Sequence, residues 1–242
     1  MNTKQRLDLW LVANGLVETR EKAQALVMAG EVMVNGQRAG KPGLPVAPGM
    51  SVSLTAKPKY VSRGGLKLEA ALEGFRISVV GLVCADIGTS TGGFTDCLLQ
   101  AGALRVHAID TGAGQIDWRL RGDARVVLHE NTNARGLGGD SLGEKTALAV
   151  CDVSFISATL IVPAMAAVLE PGGRMVVLVK PQFEVGKGEV GTGGIVREPE
   201  LHSAACARVR RAVEDLGFAT DMIDSPITGA EGNKEFLLYG RR

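Results

Sequence analysis

Aromatic side chains are scarce. Six Phe, two Tyr and two Trp amount to 4% of the 242 residues, so flat faces for stacking against planar ligands are few. Cysteine is scarce too. Cys84, Cys97, Cys151 and Cys206 are scattered with no CxxC pair, which argues against a disulfide framework or a thiolate metal site. Cys84 and Cys151 sit inside apolar runs and read as reduced core residues of a cytosolic protein. Three isolated histidines, His107, His129 and His202, lack metal-ligand spacing, so no metal is expected. Long apolar runs are missing as well. The longest, Ala158–Leu169, is too short to span a bilayer and contains Pro163. Met1–Trp10 is polar and has no apolar signal-peptide segment. A soluble, cytoplasmic protein without stable membrane association is the expectation. No internal repeat or low-complexity segment is visible.

What is present is ordinary in amount and uneven in place. Hydrophobic residues make up 45% and charged residues 22%, enough for one full α/β domain and a small companion. The net charge is only +1. Residues 1–60 nevertheless hold eight Lys/Arg against four Asp/Glu, and the remainder holds 19 against 22. A basic small domain on a slightly acidic larger one suggests a polyanion partner.

Two textures meet near residue 60. Gln5–Val12 and Glu21–Met28 read as short amphipathic helices, the second capped by Thr19 and ended by Gly30. Glu31–Gly36 reads as a strand entering an Asn-Gly turn, and Met50–Thr55 as another strand. This gives a small α+β domain over residues 1–55, a linker over 56–62 and a larger domain over 63–242. In the larger domain a helix over Arg63–Phe75 precedes apolar runs at Val83–Ile87, Val106–Ile109, Val126–Leu128, Ala147–Val153 and Met175–Val179. Runs of that length, bounded by turn signals, are strands buried on both faces, hence a mostly parallel sheet. Helices are expected at Gly93–Ala101, Gln115–Leu120, Ser157–Leu169 and Pro199–Leu216. The last strands, Phe218–Ile223 and Glu235–Tyr239, leave no room for a crossover helix. One of them must therefore run antiparallel.

Val83–Ile87 runs straight into Asp86-Ile87-Gly88-Thr89-Ser90-Thr91-Gly92-Gly93-Phe94. Glycines at a strand end let backbone approach a ligand closely, and ligands of open α/β sheets sit beyond the carboxyl ends of the strands. The spacing is not GxGxxG, and Asp86 inside the turn suits a cationic amino-acid ligand better than a pyrophosphate. Asp110 ends the next strand, where a carboxylate can accept from ribose hydroxyls. Together they fit a nucleoside cofactor without phosphates. Asp152 and Lys180 end two further strands and, by the same rule, point into the same crevice.

These residues carry a resemblance. Residues 62–242 look like the FtsJ-type RNA 2′-O-methyltransferases, through Ser62-Arg63-Gly64-Gly65-Leu66-Lys67, the glycine loop through Asp96, Cys151-Asp152-Val153-Ser154-Phe155-Ile156-Ser157 and Val179-Lys180-Pro181-Gln182-Phe183-Glu184. Residues 5–55 are similar to the S-four-type RNA-binding domain, and the combination resembles the haemolysin A (TlyA) family. The resemblance implies a Rossmann-like class I sheet, S-adenosylmethionine as cofactor and cytidine 2′-O-methylation of ribosomal RNA, free or in ribosomal subunits. It implies a catalytic set of Lys67, Asp152, Lys180 and Glu235, with Glu231 the alternative for the last. Asp86, Gly88, Thr89, Ser90, Gly92, Gly93, Phe94, Asp110 and Asn131 would bind the cofactor, the Glu130–Asn133 segment lying near its adenine.

A ribose hydroxyl needs a base to attack a sulfonium methyl, and a lysine serves only when deprotonated. Placing Lys180 near Lys67 and partly desolvating it would favour that state, while Asp152 and Glu235 would oppose it and orient the amines. Arg6, Arg20, Lys22 and Arg38 are the candidate RNA phosphate contacts. Tyr60, Phe155 and Phe183 are candidate stacking faces, with core packing expected for the two phenylalanines. Three other readings compete: a non-catalytic RNA-binding protein, a haemolysin-like membrane-lytic protein, and a nicotinamide-dependent oxidoreductase. All four positions of the implied catalytic set being filled speaks against the first. The lack of a spanning or strongly cationic amphipathic segment opposes the second, and the glycine spacing the third.

Overall fold

The structure, a computed structural model, describes residues 4–55, 58–229 and 231–242. The chain divides into two compact units, Met1–Lys59 and Tyr60–Arg242. Of the linker expected over 56–62, residues 56 and 57 lie outside the described residues. Its last residues belong to the larger unit, because Tyr60 is buried in that unit's core and the Val61 N–H donates to Asp96 at 2.8 Å.

In the smaller unit β1 (Gln5–Arg6) leads into α1 (Leu7–Ala13), and α2 (Arg20–Met28) follows. Thr19 caps α2 by accepting from the Lys22 N–H at 3.3 Å. β2 (Val32–Val34) turns through Asn35 and Gly36, both at positive φ, into β3 (Gln37–Arg38). The pair is a two-residue hairpin of the kind Asn-Gly favours. β4 (Pro45–Val46) pairs with β1, and β5 (Val52–Leu54) with β2. Leu7, Leu11, Ala23, Val27, Val32 and Val46 form the core of this unit.

The larger unit begins with α3 (Gly64–Gly74), then β6 (Val83–Ile87), α4 (Gly93–Gln100), β7 (Arg105–Ile109), α5 (Trp118–Arg121) and β8 (Val126–His129). β9 (Thr146–Cys151), α6 (Val162–Val168), β10 (Leu169–Val179), α7 (Pro181–Glu184), α8 (Pro199–Glu214), β11 (Ala219–Asp224) and β12 (Phe236–Arg241) complete it. Seven strands form one sheet in the order β11-β12-β10-β9-β6-β7-β8. β6 to β10 are mutually parallel, and β12 lies antiparallel to both β10 and β11. The sheet is doubly wound, with an apolar core on each face. β6 and β9 lie side by side at its centre, so the loops leaving their carboxyl ends meet at the switch point.

Several elements differ from the sequence reading: the helix expected over Gln5–Val12 starts only at Leu7, after the short strand β1, and β10 begins at Leu169 rather than Met175. The helix expected over Ser157–Leu169 breaks into a single 3₁₀ turn (Ala158–Leu160) and α6, with Pro163 in the first turn of α6. The one expected over Gln115–Leu120 shrinks to α5, started by Asp117, which accepts from the Arg119 N–H. Among the described residues no helix is long and apolar enough to cross a membrane.

Candidate active site

The glycine loop leaves β6 with its shape fixed by backbone packing. Gly88 has φ +82°, and a Cβ there would sit 2.5 Å from the Asp152 carbonyl oxygen. Any larger residue must therefore push β9 away from β6. The Thr89 hydroxyl donates to the Asp86 carbonyl at 2.9 Å, and Ser90 adopts φ +50°. Gly93 opens α4 where α3 comes closest. A Cβ on it would lie 2.3 Å from Ser62 Oγ and 3.0 Å from the Gly65 nitrogen. That approach brings Lys67, one turn into α3, to the same loop.

Gly88, Thr89, Ser90, Thr91, Gly93 and Phe94 line a cleft of about 550 Å³ together with Lys67, Asp152, Lys180 and Glu235. Lys67 Nζ lies 2.5 Å from Glu235 Oε2, and Lys180 Nζ 2.6 Å from Asp152 Oδ1. The Lys180 ammonium also donates to Ser154 Oγ at 2.8 Å. Both lysines are under 10% exposed, so each buried charge has its own counter-charge, as burial requires. Glu235 precedes β12 rather than lying within it, and is 2% exposed. Glu231 also lines the cleft but is exposed, and it is Glu235 that meets Lys67.

Beside the cleft, Asp110 directly follows β7 with its carboxylate held by two amides. Oδ2 accepts from the Ser90 N–H and Oδ1 from the Gly112 N–H, each at 2.7 Å. Asp110, Thr89, Ser90, Gly112, Ile116 and Glu130 line a smaller hollow there. With its orientation fixed, the Asp110 carboxylate keeps lone pairs for a diol, so the residues present fit a nucleoside.

Several expected site residues stand elsewhere. Asp86 is not in the cleft lining: it is fully buried below the loop, Oδ2 accepting from the Thr95 hydroxyl at 2.6 Å. Burial raises its carboxyl to about 7, against the Thr95 bond, which lowers it. Gly92 likewise faces inward, toward Leu120 and Ile116. Asn131 is exposed, and its neighbour Glu130 lines the hollow instead. Phe155, expected in the core, is 92% exposed at the cleft with φ +65°, its ring 5.3 Å from that of Phe183. Tyr60, a candidate stacking face, is 6% exposed in the core. Sequence reasoning gave no role to the lining residues Ser62, Arg63, Ser154 and Gln182. A polar or aromatic residue just past a strand end was the available signal for Ser154 and Phe155.

In the smaller unit Arg6 and Arg20 are both turned onto Asp8, at 3.0 and 3.1 Å, and Gln24 donates to the same carboxylate at 3.0 Å. Asp8 is fully buried, and the Arg6 hydrogen bond leads in holding its carboxyl well below the usual range against the cost of burial. Lys22 pairs with Glu18 at 2.5 Å. Arg38 is exposed on the hairpin.

Comparison with known proteins decides the family. A family model described as FtsJ-like methyltransferase matches residues 60–242, and one described as S4 domain matches residues 5–52. The chain belongs to the FtsJ-like methyltransferase family. It is 43% identical over 244 residues to the 16S/23S rRNA (cytidine-2′-O)-methyltransferase TlyA of Mycobacterium tuberculosis, covering 100% of this chain and 91% of that protein. A solved structure of a candidate hemolysin from Streptococcus thermophilus is 45% identical, with a TM-score of 0.75, and the match covers 100% of this chain and 90% of that one. The magnesium protoporphyrin IX methyltransferase of Synechocystis with bound S-adenosylhomocysteine shares the fold, at 16% identity and a TM-score of 0.51 over 73% of this chain and 81% of that one. The larger unit of this FtsJ-like protein therefore has the S-adenosylmethionine-dependent methyltransferase fold, and an S4 domain precedes it.

Proposed function

We propose that the chain transfers a methyl group from S-adenosylmethionine to the 2′-hydroxyl of a cytidine in ribosomal RNA, acting in the cytoplasm on ribosomal subunits. The observation that carries this reading is the pair of buried lysines, each on its own carboxylate, lining one cleft with the glycine loop. The naming of the TlyA relative supports the substrate.

Asp110 would hold the cofactor ribose, and Gly88, Thr89, Ser90, Gly93 and Phe94 would shape the cavity for the rest of it. When bound, the cofactor supplies an electrophilic methyl on sulfonium sulfur. Lys180 is the base in this scheme. Two of its nitrogen's directions are taken by Asp152 and Ser154, which leaves a third to carry the lone pair once the ammonium has given up a proton. The hydroxyl proton moves to that Nζ as the oxygen attacks. Lys67, held by Glu235, adds a fixed positive charge beside the developing alkoxide. Phe155 offers its exposed face to the target base, a contact worth about 1–3 kcal/mol in single-strand binding. In the S4 domain Arg38 and Lys22 would meet RNA phosphates. Arg6 and Arg20, half exposed while holding Asp8, would add two more cations.

The test is transfer of labelled methyl from S-adenosylmethionine to isolated ribosomal subunits and to naked rRNA. Label should enter rRNA with the parent protein and fall at least about a hundredfold with Lys180→Ala, cofactor affinity being unchanged. Equal label with Lys180→Ala would remove the lysine from the chemistry. No label with the parent, while it binds the cofactor, would leave an RNA-binding protein.

A further inference from the structure

Glu184 ends α7 and takes no part in the scheme above, yet its side chain is 3% exposed. Its Oε2 accepts from the Ser157 hydroxyl at 2.6 Å, and its Oε1 accepts from the Ala158 N–H at 2.7 Å. Burial pushes its carboxyl above the usual range, against those two donors and Arg208. A carboxylate is costly to bury. α7 does not need an acid there: Arg208 donates to the Glu184 backbone carbonyl at 2.8 Å, a bond any residue would offer.

What the carboxylate does is join two loops. One leaves β9 and carries Asp152, Ser154 and Phe155. The other leaves β10 and carries Lys180 and Phe183. They touch at three points in order: Lys180 on Asp152 and Ser154, Phe183 against Phe155, and Glu184 on Ser157 and Ala158. Phe155, in the middle, has φ +65° with its ring in solvent. A left-handed phenylalanine is strained and persists only where its surroundings over-determine it. The burial of a solvent-facing ring cannot hold it. The tether beyond it can.

We infer that Glu184 is a positioning residue, a latch that fixes the far end of the β9 loop at Ser157 and Ala158 and so sets Ser154 and Phe155 against Lys180. The inference rests on the methyl-transfer reading of the cleft and names what holds that site in register. The cofactor loop leaves β6 and is built without Glu184, so losing the latch should disturb turnover and leave cofactor binding alone.

Full-length Glu184→Ala and Glu184→Gln test it. The glutamine can accept from the Ala158 N–H and donate to Ser157 Oγ, so it can rescue the latch. The kcat, normalised to bound S-adenosylmethionine, should fall about tenfold to a hundredfold in the alanine variant, the scale of a misplacement of about 1 Å. In the glutamine variant it should stay within about threefold of the parent, and cofactor affinity should hold within about twofold in both. Amide exchange at Ala158 should quicken in Glu184→Ala while the β9 amides stay protected. An unchanged kcat in Glu184→Ala would overturn the latch, and so would loss of cofactor affinity in step with kcat, which would mark a residue that merely supports the fold. If the parent moves no methyl to RNA, the functional reading fails separately. Ala158 exchange then decides, and unaltered exchange in Glu184→Ala overturns the latch.

Discussion

Asp86 lies beneath the cofactor loop with Oδ2 on Thr95 and with Oδ1 lacking a hydrogen-bond partner. Its carboxyl is raised from 3.8 to about 7, first by burial, with Thr95 opposing and the charge of Asp152 adding. Between those values the folded chain keeps a proton that the unfolded chain has shed. Stability therefore falls as pH rises from about 4 to about 7, by at most roughly 4 kcal/mol. Asp86→Asn keeps an acceptor for Thr95 and cannot ionise. It should melt above the parent at pH 8, with the gap closing toward pH 4, and thermal melts across that range check it; a gap independent of pH would contradict the assignment. At this scale the sequence was legible where a polar residue ends a strand, as with Asp110, Asp152 and Lys180. It was not legible for Phe155 and Tyr60, whose expected surroundings proved wrong. Composition says phenylalanine belongs inside, and only the left-handed turn at residue 155 puts that ring in solvent.

Helices α3 and α4 meet through glycine, and that contact delivers Lys67 to the cleft. With a Cβ at residue 93 pressed to 2.3 Å from Ser62 Oγ and 3.0 Å from backbone at Gly65, α3 would have to move. Gly93→Ala should lower methyl transfer about tenfold or more through displacement of Lys67, and cost about 1–3 kcal/mol of stability as overpacking does. Radiolabel transfer beside a denaturant melt separates the two effects. The inner strands of this sheet were readable because both their faces are buried and turns bound them, and the missing crossover marked the antiparallel end. The start of β10 was not readable. Its segment Glu170-Pro171-Gly172-Gly173 looks like a turn, and the register shift between Leu169 and Arg174 absorbs it into the strand. α5 came out short because Asp117 starts it late, after Ile116 has packed against Gly92.

Across the whole molecule, charge is divided between the S4 domain and the methyltransferase unit, but the basic residues of the first are not equivalent. Arg38 is exposed, whereas Arg6 and Arg20 satisfy the buried Asp8. Arg38→Ala should weaken binding to rRNA and shrink the slope of log affinity against log salt by about 1, leaving the melting curve alone. Replacing Arg6 and Arg20 together by Ala should instead lower the melting temperature of the S4 domain, because the buried Asp8 carboxylate keeps only Gln24 and the Leu9 N–H. Salt-titrated binding and calorimetric unfolding tell the two kinds of arginine apart. The sheet order has one more outcome. β12 is the last of the sheet's strands along the chain, yet it is threaded between β10 and β11 and delivers Glu235 to a lysine in the unit's first helix. During translation, then, Lys67 waits without its counter-charge while every earlier strand emerges. The Lys67–Glu235 pair, and with it the β10-β12-β11 order, can form only once residues 235–241 have left the ribosome.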